Sequence, residues 1–307
     1  YQTVPRTQTT TFLINRGFWI TPNTASLTSA SGFTVNNNFI GGSASDGTGT
    51  MNLTGTSLSY YGMDLSVGVG TATSVQGNTF SNTTITGPTG NPGYMGIGIA
   101  NGNVNCGTVS GNLVGSNTVN GAITLNSGAG GFGGLTGFRV TAGTQTTFAN
   151  NQVSGITLNG TNTTDMPSFI GISATGGTLT TVTNNTVGSA TLANSIFVPT
   201  TSTTTTSAPT FRGIQVGGTN ITVTNNLVAN ITHNNEGTST ASIQGIAATS
   251  GIVNISGNTV RDIKHASRGT AGGTTCAISG IMFSNFTAPS TIANNTIHSL
   301  SLSNTTN

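Results

Sequence analysis

Charge is what this 307-residue chain has least of: seven Lys and Arg and five Asp and Glu, 4% of its residues. Lys264 is the only lysine, and a net charge of +2 spread this thinly gives no basic stripe, so no nucleic-acid partner is expected. No run of about 18 apolar residues is present, which excludes a helical membrane span. Helix itself is disfavoured, because Gly and β-branched residues fill nearly every window and no 3.6-residue apolar pattern persists. There is no P-loop, zinc spacing, EF-hand loop or Ser-His-Asp arrangement, so neither cofactor nor metal is expected. No initiator Met and no basic-then-apolar leader precede Tyr1, which points to a processed or excised segment. Such a composition often marks disorder, yet disordered chains lack regularly placed apolar residues. This chain has them.

Eight times a short phrase returns, centred on Asn38, Asn78, Asn112, Asn151, Asn185, Asn226, Asn258 and Asn295. Three residues earlier stand Val35, Val75, Val109, Phe148, Val182, Val223, Ile255 and Ile292. Two residues later stand Ile40, Phe80, Val114, Val153, Val187, Val228, Val260 and Ile297. The residue just before the central Asn is only ever Asn or Gly, the types that tolerate a left-handed backbone. Each phrase therefore reads as strand, sharp corner, strand, and its recurrence as a solenoid.

A second phrase precedes each corner from the second onward. Gly62, Gly96, Gly137, Gly171, Gly213, Gly245 and Gly280 each carry an apolar residue two places before, one immediately after, and one three places after. Gly17 looks like a degenerate first copy. From this Gly to its corner Asn the interval is 13 to 16 residues; from the Asn to the next Gly it runs 24, 18, 25, 20, 28, 19 and 22. Variation is thus confined to one side of the repeat, where the surface tolerates insertions. The alternation makes the better period two repeats: Asn38 to Asn112 is 74 residues, and the next two such steps are 73 each.

The expected fold is all-β: a solenoid of about eight coils with an Asn corner in each, forming one domain over 1–307. Stacked corner amides would hydrogen-bond along a ladder. The pattern resembles the right-handed parallel β-helix of the pectate-lyase-like superfamily over about residues 12 to 302, and the resemblance implies fold more than activity. Phrases such as Thr183-Asn184-Asn185-Thr186-Val187 and Ala293-Asn294-Asn295-Thr296-Ile297 also resemble repeats of very large bacterial surface proteins, including those exported by Bacteroidota through the type IX pathway. The competing architecture is a β-propeller, which would need four antiparallel strands per blade and blade-specific aromatics; the chain has one Trp.

Catalytic residues are not expected. Glycoside hydrolysis needs two carboxylates roughly 5 to 9 Å apart, and the whole supply is Asp46, Asp64, Asp165, Asp262 and Glu236. Asp64 should point outward, at a position equivalent to Gly98, Arg139, Ser173, Gln215, Ala247 and Met282, with no second acid beside it. His233 and His265 each lie seven residues after a corner Asn, so they should stack, as a packed pair or as a metal or pH site. Their register is read as containing Ile85, Val119, Leu158, Leu192 and Leu302, and His298 falls outside it. Cys106 and Cys276 lie about five coils apart, roughly 24 Å at the spacing of stacked strands, too far for a disulfide. Arg261, Asp262, Lys264, His265 and Arg268 form the only charge cluster, a candidate partner or acidic-glycan contact. The run Thr200–Ser207 reads as an exposed connection.

These features point to an extracellular, cell-surface structural or adhesive protein, a rigid stalk or filament segment. Uncapped solenoid ends invite pairing, so continuation in a longer polypeptide or self-association is expected. Carbohydrate binding is the alternative, although Tyr60, Tyr94, Phe169 and Phe211 fall in the core register; a polysaccharide lyase or hydrolase is the third reading.

Overall fold

A computed structural model describes residues 6–8, 13–21, 30–89, 92–128, 133–160, 167–199, 210–234, 242–266, 277–284 and 289–303. Among them there are no helices, and every strand pairing is parallel. The antiparallel blades of a propeller are absent from these residues. Three sheets account for the strands. Eight strands form a glycine sheet, running from Leu13–Ile20 through Leu58–Ser66, Tyr94–Asn101, Leu135–Val140, Phe169–Ala174, Thr210–Val216 and Ser242–Ala248 to Ile278–Phe283. A second eight-stranded sheet holds the strands before the corners, from Thr34–Asn36 to Thr291–Ala293. A third, of 14 strands, holds those after the corners together with Arg6–Gln8, which pairs with Met51–Gly55. Strand order within the two eight-stranded sheets follows the chain, each strand pairing with its equivalent one repeat away, as in a β-solenoid.

The corner residues have the backbone that their chemistry permits. Asn37, Gly77, Asn150, Asn184, Asn225, Gly257 and Asn294 all have φ between 55° and 67°, a region costly for residues with an ordinary side chain. Inward-facing residues of all three sheets then meet in one hydrophobic cluster. Its columns include Met63, Ile97, Phe138, Ile172, Ile214 and Ile246 from the glycine sheet and Phe80, Val114, Val153, Val187, Val228 and Val260 from beyond the corner, all with no exposed surface.

The recurring Gly answers to the apolar residue after the corner. A Cβ on Gly171 would lie 2.5 Å from Val187 Cγ1 and 2.5 Å from the Gly213 carbonyl oxygen. Gly96 stands in the same relation to Val114, and Gly245 to Val260. Its strand has an ordinary extended backbone there, so Gly is required by the close approach of a neighbouring side chain rather than by a left-handed φ.

Three register assignments from the sequence need correction. Val109 is not the core residue before its corner: it is 88% exposed, and Cys106 pairs with Val75 and Phe148 in its place. Residues 107–111 make an extra excursion there, with the left-handed position moved to Gly107 at φ 77°. In the histidine column, Val119 and Leu192 are replaced by Leu125 and Val198. Both corrections are six residues, because the chain leaves the sheet after Gly115 and after Gly188 before re-entering at Ile123 and Ile196. Small insertions shift a hydrophobic count while leaving the stack intact.

Candidate functional site

The corner asparagines form a continuous chain of hydrogen bonds. Asn38 Nδ2 donates to Asn78 Oδ1 at 2.9 Å, and Asn78 to Asn112, Asn112 to Asn151, and Asn151 to Asn185 follow at 2.9–3.1 Å. Asn185 to Asn226, Asn226 to Asn258 and Asn258 to Asn295 continue at 2.9–3.0 Å. The backbone N–H of each donor residue also donates to the same acceptor oxygen. The other Nδ2 hydrogen reaches back one repeat, to a main-chain carbonyl: Asn112 to Val75, Asn185 to Phe148, Asn226 to Val182. Each interior amide therefore ties three successive repeats together. The six from Asn78 to Asn258 are buried, and full pairing of both amide ends is what makes such burial tolerable.

Of the charge cluster, Arg261, Asp262, Lys264 and His265 share the strand Thr259–His265. Arg261 pairs with Asp262 and also donates Nη2 to the Ala190 carbonyl at 2.8 Å. Asp262 has φ 52° and occupies the bend where other repeats place Asn82, Gly155, Asn230 and Ser299, so its position is set by backbone geometry. Lys264 is exposed, whereas His265 is turned inward and 1% exposed, which removes it from the cluster. Arg268, Asp165, Glu236, Cys276 and the run Thr200–Ser207 lie outside the described residues.

His233 and His265 are adjacent in their column, ring centroids 4.9 Å apart and nearly perpendicular. Phe211 packs edge-on against His233 at 5.1 Å. Burial, and then the neighbouring His265, push the His233 imidazole down to a pKa of about 3, so it is held neutral. No cluster of three metal-ligating side chains occurs among the described residues. His298 is exposed, with Nδ1 2.9 Å from Ser299 Oγ. Cys106 is a free, buried thiol that burial pushes above its ordinary pKa, with Asn112 Nδ2 donating to its sulfur at 3.4 Å. It is a packed residue rather than a nucleophile.

Tyr60, Tyr94, Phe169 and Phe211 are buried inside the stack. The outer face of the glycine sheet carries different aromatics. The bend at the recurring Gly turns two residues per strand away from the core, the one before the Gly and the one two after it, although Met95 and Ala247 are fully buried and Tyr61, Thr136, Ser173 and Gln244 are at most 9% exposed. One column reads Arg16, Tyr61, Met95, Thr136, Ile170, Arg212, Gln244 and Ser279; the other reads Trp19, Asp64, Gly98, Arg139, Ser173, Gln215, Ala247 and Met282. The sequence pattern identifies the second column through Asp64, but the first hides behind the phase break. Arg16 Nε donates to Asp64 Oδ2 at 2.6 Å, and its guanidinium lies 4.6 Å from the centre of the Trp19 ring. Tyr61 sits between two guanidiniums, Arg16 at 6.0 Å and Arg139 at 5.8 Å. Trp19 is 63% exposed. Farther along, Arg212 Nε donates to Gln244 Oε1 at 2.6 Å.

No protein-family model, no curated protein and no solved structure matches this chain.

Proposed function

We propose that the chain is a rigid structural segment, a stalk or filament unit displayed outside the cell, built as a right-handed parallel β-helix of about eight coils. In this reading 1–307 is a single solenoid domain of the pectate-lyase-like kind and part of a longer polypeptide or assembly. The observation that carries it is the unbroken asparagine chain from Asn38 to Asn295. Hydrogen bonds of sheet and ladder run along the stack, so the molecule resists extension without relying on charge, whose attraction salt would screen.

Self-association or continuation at the ends belongs to the same proposal. Ile292, Ile297 and Leu302 are 53%, 46% and 56% exposed, although their partners Ile255, Val260 and His265 are buried. A further layer of strands over that edge would bury them. Two measurements test the reading. Negative-stain microscopy of the intact parent protein should show straight rods, and antibody against the chain should label whole cells that make it. Compact particles, or labelling only after lysis, would overturn the stalk.

Against an enzymatic role stands the placement of the acids. Among the described residues, Asp64 and Asp262 lie on different sheets, each held by an arginine, and Asp46 is fixed in a turn by Thr48. No two carboxylates converge there as hydrolysis of a glycosidic bond requires.

A further inference from the structure

We infer that the stacked pair His233 and His265 is an acid-operated latch on the last coils of the solenoid: on acidification Thr296–Leu302 and then Thr259–His265 leave the stack, while the earlier coils stay closed. The inference does not rest on the stalk reading, because the pair and the edge beside it are present whatever load the chain carries.

Position is the first argument. The inward column that holds the two imidazoles is otherwise aliphatic, with Leu53, Ile85, Leu125 and Leu158 at one end, Val198 beside His233, and Leu302 beyond His265. Both histidines are at most 2% exposed, yet Leu302 is 56% exposed. Only the strand Thr296–Leu302 separates His265 from the open edge, and only one further strand separates His233 from it. Ile297 on that edge strand is 46% exposed, so the strand has little apolar burial to hold it down.

Chemistry is the second argument. His233 Nδ1 is buried and has no hydrogen-bond partner. Its ring meets Phe211, edge-on at 5.1 Å, and His265. Among the described residues no charged side chain faces the pair. On the strand of His265, Arg261 is paired with Asp262 and Lys264 is exposed. Arg212, on the strand of Phe211, lies on the opposite face against Gln244, and His298 on the edge strand is exposed. Ser242–Ala248, Ile196–Val198 and Ile278–Phe283 carry no titratable residue. An imidazolium at His233 would therefore be a buried charge without a counter-charge, far costlier than the neutral ring. Water is what can solvate it, and the shortest way in is to lift the two strands between the pair and the edge.

Linkage sets the size of the effect. His233 takes up a proton at about 3 while packed and near 6.5 once released. Above pH 6.5 the ring adds no pH dependence; as pH falls from there toward 3, closure is progressively lost. Between pH 7.5 and 5.0 the opening that frees His233 should become about thirtyfold more favourable.

The test follows hydrogen exchange of the intact chain at pH 7.5, 6.0 and 5.0, with labelling times scaled to the intrinsic rate at each pH. Thr259–His265 and Thr296–Leu302 should lose at least about tenfold more protection on acidification than Leu58–Ser66 and Leu135–Val140. Fluorescence of Trp19, the single tryptophan and on the first strand of its sheet, should stay constant over the same range. The double variant His233→Phe/His265→Leu should remove the acid loss, and His298→Asn should keep it. Thermal melts at pH 7.5 show whether the variants fold as the parent does. Diethyl pyrocarbonate labelling of the unaltered chain at pH 6.0 gives a reading that needs no variant: His298 should react first, His265 next and His233 last. Four results would overturn the inference: protection that does not change with pH, protection lost evenly from Leu13 to Leu302, an unchanged acid loss in a folded double variant, or His233 labelled before His265.

Discussion

Asn185 shows what one corner amide does. Its Oδ1 accepts from both the backbone N–H and Nδ2 of Asn151, and its own Nδ2 donates to Asn226 Oδ1 and to the carbonyl of Phe148. Alanine here strands two donors of Asn151 and one carbonyl in a buried site. At about 1–3 kcal/mol for each unsatisfied group, the expected loss is roughly 3–9 kcal/mol, measured by urea unfolding. Asn185→Asp keeps the acceptor but turns oxygen toward the Phe148 carbonyl and Asn226 Oδ1. It should be at least as damaging at neutral pH, and should recover toward the parent as the carboxyl protonates and regains a donor. A loss below 1 kcal/mol for either variant would show that the amides do not hold the corners.

The histidine pair gives a pH prediction at the same scale. His233 titrates at about 3 in the folded chain, against an ordinary value near 6.5. Above pH 6.5 both states are neutral and the group contributes nothing to pH dependence. Between about 6.5 and 3 the unfolded chain binds a proton that the folded chain refuses, so stability falls as pH falls; below about 3 the loss levels off. The slope is about 1.4 kcal/mol per pH unit for one proton. His233→Phe, which keeps an aromatic edge beside Phe211, should flatten that slope by about one proton. An unchanged slope would locate the acid sensitivity elsewhere.

At the scale of the element, the glycine strands depend on a pairing between two distant phrases. Gly171→Ala drives a methyl into Val187 and into the Gly213 carbonyl. Overpacking of this kind costs about 1–3 kcal/mol. Val187→Ala removes the side-chain part of the clash and leaves the carbonyl part. The double variant should therefore be more stable than the sum of the single losses predicts, by calorimetry on all four proteins. Strict additivity would mean that Gly171 is required by the carbonyl alone.

This pairing also marks how far sequence reading reaches. Strands, corners and inward columns were legible because Gly, Asn and apolar residues recur at nearly fixed spacing. The exceptions have a physical cause. Val109 satisfies the spacing but stands on an inserted turn, and Cys106, a small apolar residue three positions earlier, fills the column instead. Composition cannot distinguish those two. Periodicity did not reveal the Arg16–Tyr61–Arg212 column either, because a bend at Gly places outward residues three apart rather than two. His265 looked like part of a charged corner only because its neighbours in sequence are charged; alternation turns it inward. Finally, what would bring Trp19, Tyr61 and Arg139 to one face is the pairing of strands from three different repeats, which no local spacing records.

For the whole molecule, the nearest-neighbour character of the stack decides how damage spreads. Asn151 bonds forward to Asn185 and back to the Cys106 carbonyl, and it accepts from Asn112. Asn295 lies at one end of the described ladder: it accepts from Asn258 and donates to the Ile255 carbonyl. In a quasi-one-dimensional protein each lesion is felt first by the repeats it touches, and the distance over which it decays measures the coupling between them. Hydrogen exchange on intact protein can read this, because local opening exposes amides repeat by repeat. In the parent, amides of Ile278–Phe283 and Thr296–Leu302, where the core is partly open, should exchange faster than those of Leu135–Val140 and Phe169–Ala174. Asn151→Ala should accelerate exchange in the corner strands Val104–Cys106, Gln145–Ala149 and Leu179–Thr183, with the effect fading outward on both sides. Asn295→Ala should reach only Ile252–Ser256 and its immediate neighbours. If both variants instead raised exchange uniformly from Leu13 to Leu302, the stack would open as a single cooperative unit. The repeats would then open together instead of where the stack is weakest.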